Sequence, residues 1–177
     1  MQKPLLFCLI VGGAINALSS LTIGLKPTTA IELFWIANDL FLLLGLIGVF
    51  LSLQSELHVL GNIALMVIIV SMAFIAGPSA NIGDISAYSI GAPIIALGFV
   101  FFSTCLLKLP EVSRIISITL LATTSFNILF TILSINGLIF AATVLFSFSL
   151  IGLGVQLYRL PMREAIADYS IPNPIVA

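Results

Sequence analysis

Six long apolar stretches follow one another along nearly the whole of this 177-residue chain. Hydrophobic residues make up 60% of the sequence and charged residues only 7%, whereas soluble domains carry about 25% charged residues. A chain with so few charges cannot cover a soluble core with polar surface. The composition therefore predicts an integral membrane protein.

The apolar stretches are continuous, and this distinguishes helices from the strands of a membrane barrel. Barrel strands alternate apolar and polar residues over about ten positions, whereas a helix needs about twenty apolar residues in a row to cross the bilayer. Since lipid satisfies no backbone polar group, we predict an all-α bundle of six transmembrane helices in residues 1–160. The predicted spans are 5–24, 30–53, 58–77, 88–107, 111–134 and 137–158, followed by a short cytoplasmic tail at 161–177.

The distribution of Lys and Arg predicts the orientation, because positive charges favour the cytoplasmic side of a membrane. With the N-terminus inside, Lys26 is the one basic residue that falls outside. The basic residues on the inner side are Lys3, Lys108, Arg114, Arg159 and Arg163. Six spans return the chain to its starting side, so we expect both termini to be cytoplasmic.

Loop lengths predict which helices are neighbours. The turn at 54–57 is short, so we expect the second and third helices to be antiparallel neighbours. The Asn136-Gly137 turn pairs the fifth and sixth helices in the same way. The longest connection, 77–87, permits the third and fourth helices to lie apart and marks a candidate boundary between two inverted three-helix halves.

Helix ends carry ordinary signals. Thr29 and Glu32 have the spacing of a capping box at the start of the second helix. Pro110 and Glu111 suit the first turn of the fifth helix. The first apolar stretch continues to Gly24, longer than the core of a signal peptide, so we expect a retained helix.

Asp39 is the residue most favoured as a site. It lies nine residues into the second predicted span, about 13 Å along the axis at 1.5 Å per residue. A charge at that depth costs about 3 kcal/mol or more, so the side chain must face the interior, find donors or stay protonated. No Lys or Arg lies at the same depth in another predicted helix. The sequence therefore predicts a proton or cation site at Asp39.

Amide and hydroxyl side chains on other helices approach the same depth when the termini are placed inside. The predicted partners of Asp39 are Asn16, Asn127, Ser71 and Thr123, with Thr143 in the same layer. Asn38 adjoins Asp39 but points about 100° away from it around the helix. Glu32, on the same face, and Asp84, in the outer loop, would form an acidic approach that favours cations.

The fifth helix carries Thr119, Thr123, Asn127 and Thr131 at every fourth position, along one face. Such a polar ladder either lines a wet path or joins neighbouring helices through hydrogen bonds. Thr side chains can also bond the carbonyl of their own helix one turn back, without a partner. Both interpretations stay open at this point.

Missing motifs argue against enzymes and nucleic-acid binding. The chain has one His, and it lacks the HExxH, GxSxG and glycine-rich phosphate-binding patterns. It also has no cluster of basic residues. We therefore expect no enzymatic activity, no metal site, no cofactor and no nucleic-acid partner.

The segment 97–122, LGFVFFSTCLLKLPEVSRIISITLLA, joins a glycine-containing helix to an apolar helix through a Leu-Pro-x-x-x-Arg turn. With the LGLIGVFLSLQ segment at 44–54, it resembles small uncharacterised six-span bacterial membrane proteins. The resemblance implies a six-helix fold in a bacterial inner membrane. It brings no assigned activity, and positions 16 and 39 lie outside it.

Two functional interpretations follow. The first is a transporter, channel or sensor in the lipid bilayer, with a small solute or ion bound at Asp39. The second is an accessory or structural protein whose polar residues hold helices together and whose surface binds another membrane subunit. A homodimer would support the first, because six spans form a small body for alternating access.

Overall fold

The computed structural model describes residues 2–22, 28–75, 81–82 and 85–160. These residues form six α-helices, which confirms the predicted all-α bundle. The helices are α1 Gln2–Ser19, α2 Thr29–Leu53, α3 Val59–Ile75, α4 Ala87–Leu106, α5 Arg114–Ile132 and α6 Asn136–Arg159. A 3₁₀ turn at Ser20–Thr22 follows α1, and two short strands, β1 (Asn81–Ile82) and β2 (Ile85–Ser86), pair antiparallel before α4.

The helices have the length and composition that a bilayer requires. In the described chain, five of them are long and apolar enough to cross a membrane, and α3 is an apolar helix of 17 residues. Large apolar side chains also point outward: Ile115 and Ile132 are each 74% exposed. Such exposure is unfavourable in water and favourable in lipid. The protein is an integral membrane protein.

The helices follow one another around the bundle in chain order, and α1 closes the ring against α6. The expected pairs α2–α3 and α5–α6 are both neighbours. The long connection before α4 does not separate α3 from α4, which pack extensively against each other. Gly98 of α4 explains the close packing, because a Cβ there would lie 2.6 Å from the Ile68 side chain.

Glycines also allow α1 and α2 to approach closely. A Cβ on Gly45 would lie 2.6 Å from the backbone N of Leu9, and one on Gly48 would lie 2.8 Å from Cβ of Leu5. On its other side, α1 meets α6 at Gly154. α1 is therefore held between α2 and α6 by backbone-to-backbone proximity.

The N-terminus of α2 differs from the predicted capping box. Thr28 is the N-cap, and its Oγ1 accepts from the N–H of Ile31 at 3.4 Å. The Glu32 N–H already donates to the carbonyl of Thr28 at 2.9 Å. The helix thus begins one residue earlier than expected, so Glu32 lies one position too late to complete the box.

The predicted start of α5 is also wrong. Pro110 and Glu111 lie in the turn before the helix, which begins at Arg114. Gln156 of α6 holds this turn: its Nε2 donates to the Glu111 carbonyl at 2.8 Å and its Oε1 accepts from the Ser113 N–H at 3.0 Å. Because a neighbouring helix satisfies these backbone groups, the turn does not need to become helical.

Candidate functional site

Five polar side chains join four helices in one row through the bundle. We call Asn16, Asn38, Asn127, Thr143 and Ser147 the amide layer. They come from α1, α2, α5 and α6, whose core is formed by apolar residues. Three of the five, Asn16, Asn127 and Thr143, were predicted to lie at one depth.

The first part of the amide layer runs from α2 through α1 to α6. Asn38 Nδ2 donates to Asn16 Oδ1 at 3.3 Å, and Asn16 Nδ2 donates to Ser147 Oγ at 2.8 Å. Ser147 Oγ in turn donates to the carbonyl of Thr143 at 2.8 Å. In this part Asn16 and Ser147 each donate and accept a hydrogen bond, whereas Asn38 only donates.

The second part joins α6 to α5. Thr143 Oγ1 lies 3.3 Å from Asn127 Oδ1 and 2.9 Å from the carbonyl of Ile139, so its one hydrogen serves two acceptors. The Ser147 bond to the Thr143 carbonyl connects the two parts. The layer therefore reaches from α2 to α5 without a charged side chain.

Asp39 lies beside the amide layer rather than at its centre. Its carboxyl is half-buried, and Oδ1 accepts from Asn38 Nδ2 at 3.4 Å. Leu46, seven residues later on the same face, is 1% exposed. Asp39 thus points toward the bundle side of α2, and its hydrogen-bond partner among the described residues is an uncharged amide.

Asn38 is the residue that sequence reasoning missed. It is only 7% exposed, and its Oδ1 is buried without a hydrogen-bond partner in the part of the chain that the structure describes. The helix α2 is apolar on every side, so no stripe of polar residues indicates which face is internal. The available signal is the glycine register, because Gly45 lies seven residues after Asn38 on the face that meets α1.

Two of the predicted partners do not join the amide layer. Thr123 Oγ1 donates to the carbonyls of Thr119 at 2.7 Å and Leu120 at 3.2 Å, both in its own helix. Ser71 is buried on α3 and lines an apolar groove. Thr131 likewise bonds its own helix, at Asn127 O, at 2.7 Å. The hydroxyls of the α5 ladder therefore need no wet path.

Of the two residues of the predicted acidic approach, Glu32 and Asp84, the structure describes only Glu32. Glu32 is exposed in the first turn of α2, on the side of Asp39 nearer the start of the helix. Asp84 lies outside the described residues. The approach therefore stays a prediction.

Asp39 lines neither of two apolar grooves on the described surface. A groove of about 420 Å³ between α2 and α3 is lined by Phe50, Asn62, Ile63, Met66, Val67, Val70 and Ser71. A second, of about 410 Å³, lies where α1 ends and α2 begins. Both are apolar, as expected for surfaces in contact with lipid.

Comparison of the chain with protein families, curated proteins and solved structures finds no match. The structure alone therefore defines the candidate site. It consists of a carboxyl group beside a row of amides that connects four helices of an integral membrane protein.

Proposed function

We propose that the protein is a small membrane transporter, channel or sensor that binds a proton or cation at Asp39. One observation carries the proposal: among the described residues, the hydrogen-bond partner of this intramembrane carboxyl is the neutral Asn38. A carboxylate without a counter-charge in hydrocarbon is costly, and ionisable residues inside membranes most often serve ion pathways or proton relays. A structural role alone would be served as well by an uncharged side chain.

The amide layer supplies the second part of the proposal. Asn38 contacts both the Asp39 carboxyl and Asn16, so a change of charge at Asp39 alters a hydrogen bond that also holds α1. Asn16 in turn donates a hydrogen bond to Ser147 on α6. Binding at one helix is thereby coupled to the packing of two others.

The orientation belongs to the same proposal. The excess of basic residues at the predicted inner side supports a protein of the cell membrane with both termini in the cytoplasm. Asp39 then lies in the outer half of the bilayer, where Glu32 precedes it toward the outer surface. A bundle of six helices is small for alternating access, and a homodimer would provide a larger assembly.

Flux through reconstituted vesicles tests the transport form of the proposal. We expect wild-type protein to conduct protons, Na⁺ or K⁺ down an imposed gradient, and Asp39→Asn to abolish that flux while still inserting. The matched control is Glu56→Gln, an acidic residue in the turn between α2 and α3. Equal flux in wild type and Asp39→Asn would contradict the proposal.

Trp35 allows the sensor form to be tested as well. It is the single Trp of the chain and lies one turn before Asp39 on the same helix. We expect its fluorescence to respond to titration with protons, Na⁺ or K⁺ in wild type and not in Asp39→Asn. A wild-type protein that shows neither flux nor a fluorescence response would exclude all three forms.

An accessory role is the second candidate, and a specific observation favours it. The Thr119, Thr123 and Thr131 hydroxyls bond their own helix, while Asn16 and Thr143 join helices. Polar side chains used in this way stabilise a bundle and need no solute. We expect such a protein to co-purify with one defined membrane subunit and to lose it on truncation after Leu160. Isolation as a lone, monodisperse species would count against this role.

A further inference from the structure

The end of the amide layer at Asp39 lacks a hydrogen-bond donor. Asn38 uses its amino group for both Asn16 Oδ1 and Asp39 Oδ1, at 3.3 and 3.4 Å. An amide group has two N–H donors, so none is left. Its own oxygen is buried and accepts no hydrogen bond from the described residues. Three acceptor oxygens lie here, one from Asn38 and two from Asp39, and among the described residues they receive a single N–H, from Asn38 Nδ2 to Asp39 Oδ1.

This shortage restricts the ligand. An anion would add acceptors where donors are missing, so anionic ligands do not fit. Metal cations such as Ca²⁺ and Mg²⁺ take about six or more oxygen ligands, and the site offers fewer. No three His, Cys, Asp or Glu side chains come together anywhere in the described residues. One proton supplies the missing donor without further ligands.

We infer that the ligand of the proposed site is a proton, carried by the Asp39 carboxyl and hydrogen-bonded to Oδ1 of Asn38. The inference rests on the proposed function and narrows its ligand class. A half-turn of the Asn38 amide exchanges its N–H and C=O ends. The same side chain therefore donates to the carboxylate and accepts from the carboxylic acid.

Proton binding also reverses the neighbouring hydrogen bonds. When Asn38 presents its oxygen to the carboxyl, Asn16 must turn its own amide to keep a donor against that oxygen. Asn16 Oδ1 then faces Ser147, whose hydroxyl leaves the Thr143 carbonyl and donates to the amide. Protonation on α2 is thus transmitted to α6 without movement of the backbone.

No other described ionisable group on the helices against α2 lies near this end of the bundle. α1 carries Lys3 and Cys8, α6 carries Tyr158 and Arg159, and all four lie toward the opposite end of the bundle. The described part of α3 has no ionisable side chain. On α2 itself, Glu32 is exposed two turns away. A proton at this site is therefore assigned to Asp39.

Infrared spectroscopy of the full-length protein in liposomes tests the inference directly. On lowering the pH, we expect the C=O stretches of protonated carboxyls in wild type to include one band that is lost in Asp39→Asn. In Asn38→Leu the same band should move to higher frequency, because the hydrogen bond to the amide oxygen is gone. The matched control is Thr131→Val, which removes a hydroxyl that bonds the carbonyl of Asn127 in its own helix and lies outside the amide layer, and which should leave the band unchanged.

A second variant covers the case in which Asn38→Leu does not insert correctly. Ser147→Ala removes the hydroxyl that the turned Asn16 amide requires, so the band should again move to higher frequency, by a smaller amount. The inference is overturned if the band persists in Asp39→Asn, or if it stays unmoved in every correctly inserted Asn38 or Ser147 variant. A titrating band without flux or fluorescence response would remove the proposed function and keep the inference. Asp39-dependent Na⁺ or K⁺ flux without the band would keep the proposed function and remove the inference.

Discussion

Polar side chains in this bundle fall into two kinds, those that bond another helix and those that bond only their own. Asn16 belongs to the first kind, since it accepts from Asn38 and donates to Ser147. Thr131 belongs to the second, with its hydroxyl on the carbonyl of Asn127. Only the first kind contributes to the packing of helices against one another, although both kinds look alike in the sequence.

We expect Asn16→Leu to lower the free energy of unfolding by about 1–2 kcal/mol, because interhelical hydrogen bonds in membranes contribute about 0.6 kcal/mol each and up to about 1.7. Reversible denaturation in mixed micelles measures the difference. Thr131→Val is the control, since its hydroxyl bond stays within α5. If Thr131→Val lowers the free energy of unfolding as much as Asn16→Leu does, the interhelical hydrogen bonds stabilise the bundle no more than those within a helix.

At this scale the sequence predicts a polar layer but not its members. Depth along each helix follows from counting residues, which brought Asn16, Asn127 and Thr143 to one level. The direction in which a side chain points around the helix axis does not follow from counting residues, because α2 is apolar on every side. Whether Asn38 or Asp39 enters the amide layer therefore depends on which face of α2 meets α1. Tertiary packing determines that face.

At the scale of helices, close approach at glycines determines the arrangement. Gly45 leaves no room for a side chain, since the nearest atoms belong to the backbone of Leu9, which cannot move aside by changing rotamer. Gly137, at the start of α6, has nothing within 4 Å of the position of a Cβ. These two glycines therefore provide a matched pair for testing the role of packing.

We expect Gly45→Ala to destabilise the protein by about 1–3 kcal/mol, the usual cost of overpacking a dense contact. Gly137→Ala should be neutral or stabilise by up to about 1 kcal/mol, because Ala favours the helix over Gly. Thermal unfolding in detergent measures both. Equal melting temperatures for the two variants would mean that α1 and α2 are not in close backbone contact.

Gln156 is expected to control the turn between α4 and α5. Gln156→Ala removes the acceptor of the Ser113 N–H, so the exchange of that amide with solvent deuterium should speed up. Hydrogen-exchange mass spectrometry of the segment 109–114 measures the change. Gln54→Ala, at an exposed Gln in the turn after α2, should leave the segment unaffected; no difference between the variants would contradict the role of Gln156.

Helix positions follow from the sequence more closely than helix ends. Predicted and observed limits of α2, α4 and α6 agree within one residue, because the apolar stretch alone defines them. The start of α5 was misplaced because Pro110 satisfies a local rule for helix starts, whereas Gln156, 46 residues later, holds the turn open. The packing of α3 on α4 could not be foreseen from the length of their connection.

For the whole molecule, the distribution of basic residues predicts the orientation in the membrane. It places the turn after α2 inside and the turn before α6 outside. In a chain with Cys8 and Cys105 replaced by Ala, Gln54→Cys should react with an impermeant maleimide from the cytoplasmic face. Gly137→Cys should react from the opposite face. Labelling of both from one face, in sealed vesicles of known orientation, would contradict the six-span topology.

The amide layer also determines which helices are costly to separate. It joins α1, α2, α5 and α6, whereas α3 and α4 meet each other at glycines and take no part in it. In hydrocarbon a broken hydrogen bond finds no water to replace it, so the four helices of the layer are costly to separate. The α3–α4 pair contributes no side chain to the layer, and Asn62 fastens the start of α3 to the turn after α2 through the carbonyls of Gln54 and Leu57.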